Sequence, residues 1–123
     1  MNMTKQEIKE IRERLNGRIS EICDSKDREL GLSMSREDLD NLKNTVVTKI
    51  ENIGYEYIES QCNKYAKGLA NKKGVEKSVE YLLGKIENEI PKVETMTAME
   101  VLSGLFPLGF YYNALNYIGE NLM

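Results

Sequence analysis

The chain has 123 residues, of which 41% are hydrophobic and 30% are charged. This length suits one domain spanning residues 1–123, and this balance of residue types argues against intrinsic disorder. The formal net charge of −3 argues against a dedicated nucleic-acid-binding domain, which would be clearly basic.

The sequence lacks the residues that most catalytic and metal sites use. It has no histidine, which removes Ser-His-Asp and Cys-His nucleophilic machinery. Its two cysteines, Cys23 and Cys62, cannot by themselves supply the four ligands of a structural zinc site. Pairs such as Glu56 with Glu59 are more typical of solvated helix faces than of acid–base chemistry. We therefore predict a protein that is not an enzyme, with no catalytic, cofactor-binding or metal-binding residues.

The cysteines and the first residues of the chain indicate a compartment. Two cysteines do not make a disulfide framework, and each is expected to be a small apolar residue that is buried or half-buried. The first seven residues lack the apolar core of a signal peptide. We therefore expect a cytoplasmic protein.

The first predicted helix covers residues 4–30. Thr4 and Glu7 form the S/T-x-x-E pattern of a capping box. The helix end is predicted from the pair Gly31–Leu32, a glycine followed by a hydrophobic residue. Apolar residues recur three and four positions apart and form one stripe: Ile8, Ile11, Leu15, Ile19 and Ile22.

The second helical pattern covers residues 35–71 and is too long for a compact domain. It would extend about 54 Å, whereas a domain of this size is about 35 Å across. We predict either a break near Gly54 or two halves that pack on different neighbours. The competing interpretation is a long helix that projects and dimerises. The apolar residues of the first half are Leu39, Leu42, Val46, Ile50, Ile53 and Tyr57, and those of the second half lie on another face.

The third predicted helix covers residues 75–90 and ends before Pro91. The short turn at 71–74 between two long helices predicts an antiparallel hairpin. No strand pattern is convincing, because alternation at period two is missing. The sequence therefore predicts an all-α fold, a small bundle of four or five helices.

The C-terminal segment, residues 97–122, is predicted to be a helical pair. Pro107 divides it into a short helix at about 98–105 and a final helix at about 108–121. The uncharged run at 101–118 approaches the length of a membrane span. An internal proline, several asparagines and the lack of flanking basic residues favour a buried helical hairpin over membrane insertion.

The final helix carries the predicted partner-binding site. Five of the nine aromatic residues lie between Phe106 and Tyr117, and aromatic side chains are favoured anchors of interfaces. On a helical wheel, Phe110, Ala114 and Tyr117 form an apolar flank separate from the core face. We assign Phe106, Phe110, Ala114 and Tyr117 to partner binding. The alternative is that this helix is central and is buried on nearly all sides.

A second candidate surface is the lysine-rich turn. Lys72, Lys73 and Lys77 are assigned as anion contacts, which would serve phosphates or an anionic membrane surface. The alternative is that the lysines at the end of the second helix complement its dipole.

These observations give one leading function and two alternatives. The leading hypothesis is a non-enzymatic protein–protein interaction module that regulates or inhibits a larger protein, as a phage or mobile-element accessory protein would. The alternatives are an immunity-type or membrane-proximal helical protein, and a nucleic-acid-binding regulator that uses the Lys64–Lys77 region. A homodimer is also expected, because a twofold partner would accommodate both the overlong second helix and the two-faced final helix.

Overall fold

The computed structural model describes residues 3–98, 101 and 107–123, which are almost entirely helical. No strand occurs among these described residues, so the all-α prediction is confirmed. The predicted short helix at 98–105 lies largely outside them. The helices are α1 (Lys5–Ser33), α2 (Arg36–Ile53), α3 (Tyr55–Lys73), α4 (Val75–Thr95) and α5 (Pro107–Tyr117), which continues into a π-helical turn (Ile118–Leu122).

The starts of α1 and α2 are fixed by side-chain caps. The Thr4 hydroxyl oxygen accepts a hydrogen bond from the Glu7 backbone N–H at 3.1 Å. The Ser35 hydroxyl accepts from the Asp38 N–H at 3.2 Å. Each cap satisfies one of the backbone donors that a helix start leaves without an internal partner. Both helices therefore begin where the sequence predicts.

The end of α1 differs from the prediction. The helix continues through Gly31 to Ser33, and the Met34 N–H donates to the Leu30 carbonyl at 3.0 Å. Gly31 does not adopt the positive φ of a helix-ending glycine. Leu32 is 91% exposed, so it lacks the hydrophobic contact that stabilises such an end. The predicted end at residue 30 is therefore wrong by one turn.

Two glycines divide the middle of the chain into separate helices. Gly54 has a φ of 95° and Gly74 a φ of 85°. Side chains with a β-carbon rarely adopt such angles, so a helix on either side stops there. The predicted break near Gly54 is confirmed. At Gly74, the helices α3 and α4 meet and pack against each other, as the predicted hairpin requires.

Pro91 does not end α4, which continues to Thr95. The proline removes one backbone hydrogen bond from the helix interior, at a cost of about 3 kcal/mol. Ile90 and Val93 on either side of it are fully buried, and their burial offsets that cost. The prediction that the helix stops before Pro91 is therefore wrong because tertiary packing outweighs local preference.

The helices α1 and α4 run side by side in the same direction. Arg18 donates to Glu87 at 3.1 Å, and eight residues later Lys26 donates to the backbone carbonyl of Glu94 at 3.0 Å. Both contacts are at the surface, where such pairs contribute at most about 1 kcal/mol. The two contacts are eight residues apart on α1 and seven apart on α4, which shows that the two helices run parallel.

Among the described residues, the hydrophobic core is built by α1, α3, α4, α5, the π-helical turn and the single residue Val101. Its buried members are Ile8, Leu15, Ala66, Val79, Leu82, Ile86, Ile90, Val93, Val101, Leu108, Ala114, Leu115 and Ile118. The helix α2, all of whose residues the structure describes, has no fully buried residue and contributes none to this core. Of the five helices whose bounds are given above, α2 is therefore the one outside the core, an amphipathic helix with an incompletely covered face.

Candidate functional site

The final helix α5 lies in the middle of the bundle. Leu108, Ala114 and Leu115 are fully buried, and Phe110 and Tyr117 are half-buried. Ala114 therefore offers a partner no surface in this fold. Phe106, the fourth residue of the predicted partner site, lies outside the described residues. This burial favours the alternative in which the helix is central.

The second apolar flank of α5 is covered by α3. The ring centroid of Tyr65 lies 5.0 Å from that of Phe110 and 6.4 Å from that of Tyr111. Lys67 places its Nζ 5.6 Å from the ring centroid of Tyr117. Aromatic and cation–π contacts at these distances are attractive. Phe110 and Tyr117, which the sequence assigned to a partner, thus contact α3 within the same chain.

Arg12 of α1 forms hydrogen bonds with polar groups of the last helix and of the π-helical turn that follows it. This buried guanidinium donates through Nη1 to the Asn116 side-chain and backbone oxygens, both at 3.3 Å, and to Glu120 at 3.5 Å. The Tyr112 hydroxyl donates to the Arg12 carbonyl at 3.2 Å. Sequence reasoning missed this cluster. The sequence did contain one indication of it, because Arg12 is a charged residue within the apolar stripe of α1.

A groove of about 390 Å³ lies between α3 and the last helix. The Cys62 thiol lies at the wall of this groove. Its pKa is raised mainly by burial and, to a smaller extent, by the negative charge of Glu59. A raised pKa disfavours the thiolate, which is the nucleophilic form. In the part of the chain that the structure describes, no group of three or more histidine, cysteine or acidic residues is placed to hold a metal ion. The groove is thus lined by both apolar and polar side chains, with Ile58 and Cys62 beside Asn63, Asn113 and Asn116.

The lysine-rich turn is exposed, and an aromatic ring lies within it. Lys72, Lys73 and Lys77 are exposed. Lys73 and Lys85 place their Nζ atoms 5.0 and 5.4 Å from the ring centroid of Tyr81. Lys85 was not among the predicted anion contacts. It lies four residues after Tyr81 on the same helix, and that spacing places the two side chains next to each other.

Among the described residues, four exposed large apolar side chains lie close together in sequence where α2 meets α3. We call Val47, Ile53, Tyr55 and Tyr57 the α2–α3 corner, and they are 44%, 41%, 59% and 60% exposed. The sequence pattern placed Ile53 and Tyr57 on the apolar face of the second helix, which was expected to pack on neighbouring helices or, in the competing interpretation, to project and dimerise. No described helix is both long enough and apolar enough to cross a membrane.

The apolar stripe of α2 is also incompletely covered. We call Leu39, Leu42, Val46, Ile50 and Ile53 the α2 stripe, and the first four are half-buried. The helix is tied to α1 by an ion pair between Lys43 Nζ and Asp27 Oδ1 at 2.9 Å. The stripe and the corner together form the candidate binding surface.

Comparison with known proteins leaves this surface unassigned. No protein-family model matches the chain, and no curated protein or solved structure does. A functional proposal therefore has to be argued from the geometry of the described residues.

Proposed function

We propose that this protein is a non-enzymatic interaction module that regulates or inhibits a larger protein by binding it at the α2–α3 corner. The observation that carries the proposal is the exposure of four large apolar residues within eleven positions, between Val47 and Tyr57. Single exposed apolar residues are ordinary, whereas clusters of them mark interaction sites. The two tyrosines are suited to anchoring an interface because each combines a large apolar ring with a hydroxyl.

The position of α2 supports the same proposal. An amphipathic helix needs a second element against which to bury its apolar face. The buried core draws on the other four helices and leaves α2 half-covered. A bound protein would complete the burial of α2 without displacing any member of the core.

The electrostatics of the two thiols support the non-enzymatic part of the proposal. The pKa of Cys23 is raised mainly by burial and, to a smaller extent, by the negative charge of Asp24. The pKa of Cys62 is raised in the same way, by burial and by Glu59. Both thiols are therefore biased toward the protonated form, which is a poor nucleophile.

A pull-down with paired variants tests the proposal. Wild-type protein, a Tyr55→Ser/Tyr57→Ser variant and a Leu32→Ser variant are immobilised and incubated with lysate of the native host. Leu32 is 91% exposed but lies on α1, so it is a matched control. We expect a specific protein to be retained by the wild type and the control and lost by the double variant. Equal retention by all three proteins would contradict the corner as the binding site.

The lysine-rich turn favours a second candidate function, a nucleic-acid-binding regulator. Lys73 and Lys85 flank the ring of Tyr81, and Lys77 is exposed beside them. Basic side chains interleaved with an aromatic ring are typical of single-stranded nucleic-acid binding. This candidate predicts a gel shift at low salt that weakens steeply as salt rises and is lost in Lys73→Gln/Lys77→Gln. A wild-type protein that gives no shift at low salt would remove the candidate.

A further inference from the structure

We propose that a second copy of this chain binds the α2 stripe, and that the two α2 helices pair antiparallel about a twofold axis at Val46. This inference rests on the proposed function, because it names a partner for the same incompletely covered helix. Its first support is the spacing of the stripe. The steps between successive residues are three, four, four and three, so the pattern is the same in both chain directions: Leu39, Leu42, Val46, Ile50 and Ile53.

A twofold interface requires that symmetry. In such an interface the same patch is used by both copies, so a residue that contacts a second residue is contacted in return by its counterpart. Antiparallel pairing about Val46 places Leu39 opposite Ile53 of the partner subunit, and Leu42 opposite Ile50 of the partner subunit. Val46 meets its own copy at the axis. Every apolar residue of the stripe thereby faces another apolar residue.

The charges beside the stripe are compatible with the same register. At 3.6 residues per turn, Asp38 and Lys49 lie on the same flank of the stripe, Asp38 near its start and Lys49 toward its end. In an antiparallel pair centred on Val46, the end of α2 in one copy lies beside the start of α2 in the other. Lys49 of one copy therefore lies toward the end of the pair that carries the partner subunit's Asp38. Opposite charges on matching flanks favour this orientation.

The first experiment measures solution mass by light scattering over a range of concentrations. The monomer is 14.1 kDa, and we expect the wild type to approach twice that mass. Val46→Glu places two carboxylates at the axis and is expected to give a monomer with unchanged helical content by circular dichroism. Thr48→Glu is the matched control, because Thr48 is exposed and lies about 200° around the helix from Val46, and it is expected to remain a dimer.

Crosslinking keeps the proposal testable if Val46→Glu fails to fold. In a Cys23→Ser/Cys62→Ala background, a short bis-maleimide is expected to join two copies of the Val46→Cys variant efficiently. The Thr48→Cys variant, with its thiol on the opposite face of α2, is expected to crosslink weakly. Equal crosslinking at the two positions would overturn the antiparallel register.

The outcomes separate this inference from the proposed function. A wild type that remains monomeric at all concentrations would overturn the dimer. In that case, loss of a retained protein in Tyr55→Ser/Tyr57→Ser would still support the interaction module. A dimer that is disrupted by Thr48→Glu but not by Val46→Glu would overturn the twofold axis at Val46.

Discussion

The guanidinium of Arg12 lies against the backbone of Gly119, at a point where a β-carbon on residue 119 would be 3.0 Å from Arg12 Cζ. Gly119 is buried in the π-helical turn that ends the last helix. The Arg12 side chain is held there by hydrogen bonds to Asn116 and Glu120, and its Nε has no hydrogen-bond partner among the described residues. The absence of a side chain at residue 119 therefore permits α1 to pack closely on the end of the bundle.

A Gly119→Ala substitution tests this relationship. The added methyl group would force the buried arginine to shift and weaken its hydrogen bonds, so we expect a loss of about 1–2 kcal/mol in the free energy of unfolding. Urea denaturation followed by circular dichroism measures it. Gly109→Ala is the matched control in the same helix, because a β-carbon there meets no atom within 4 Å. A Gly119→Ala variant as stable as this control would show that Arg12 adapts freely.

Replacing Gly54 should destabilise the junction of α2 and α3. Its φ of 95° lies in a region that costs residues with a β-carbon about 1–3 kcal/mol, so we expect a loss of that size for Gly54→Ala. The control is Gly17→Ala, in the exposed interior of α1, which should stabilise by about 0.5–1 kcal/mol. Thermal and urea unfolding report both changes. Unchanged stability with increased helical content in Gly54→Ala would indicate that α2 and α3 had fused into one helix.

Pro91 offers a stabilising substitution. It is exposed within α4, so alanine there would restore a backbone hydrogen bond and remove the ring clash without disturbing the core. We expect Pro91→Ala to raise the free energy of unfolding by about 1–3 kcal/mol. Lys92→Ala, at the next exposed position, is expected to change it by less than about 0.5 kcal/mol. A destabilised Pro91→Ala variant would mean that the helix depends on a bend at the proline.

The features predicted correctly from sequence depend on local chemistry. The cap at Thr4 needs only a hydroxyl three residues before a backbone donor. The break at Gly54 needs only a residue that tolerates positive φ where the apolar pattern changes face. The α-helical periods themselves are set by side chains three and four residues apart. Each of these features depends on only a few neighbouring residues, so each could be predicted from the sequence without knowledge of the fold.

The features that were missed depend on which helices become neighbours. The continuation through Pro91 follows from the burial of Val93, which local preference cannot reveal. The pairing of Arg12 with Asn116 joins residues about a hundred positions apart. The exposure of α2 follows from a core that the other four helices complete among themselves. An amphipathic pattern shows that a helix has an apolar face, but it does not show what covers that face.

Tyr65 predicts how stability changes at alkaline pH. Burial, followed by interactions with Tyr81 and Tyr111, raises the pKa of Tyr65 from 10.0 to about 12. The folded state therefore favours the neutral phenol, whereas the unfolded chain loses that proton near pH 10.0. By linkage, the stabilisation is fully present below pH 10.0 and is lost as the pH rises toward about 12.

We therefore expect the free energy of unfolding to fall more steeply over that pH range in the wild type than in Tyr65→Phe, which has no phenol to ionise at this position. Urea denaturation at several alkaline pH values measures the difference. Absorbance titration of tyrosinate supplies a direct check, because Tyr65→Phe should remove a late-titrating component that the Tyr57→Phe control retains. Parallel stability curves for the wild type and Tyr65→Phe would show that Tyr65 ionises equally in the folded and unfolded states, and its contacts with Phe110 and Tyr111 would then impose no barrier to deprotonation.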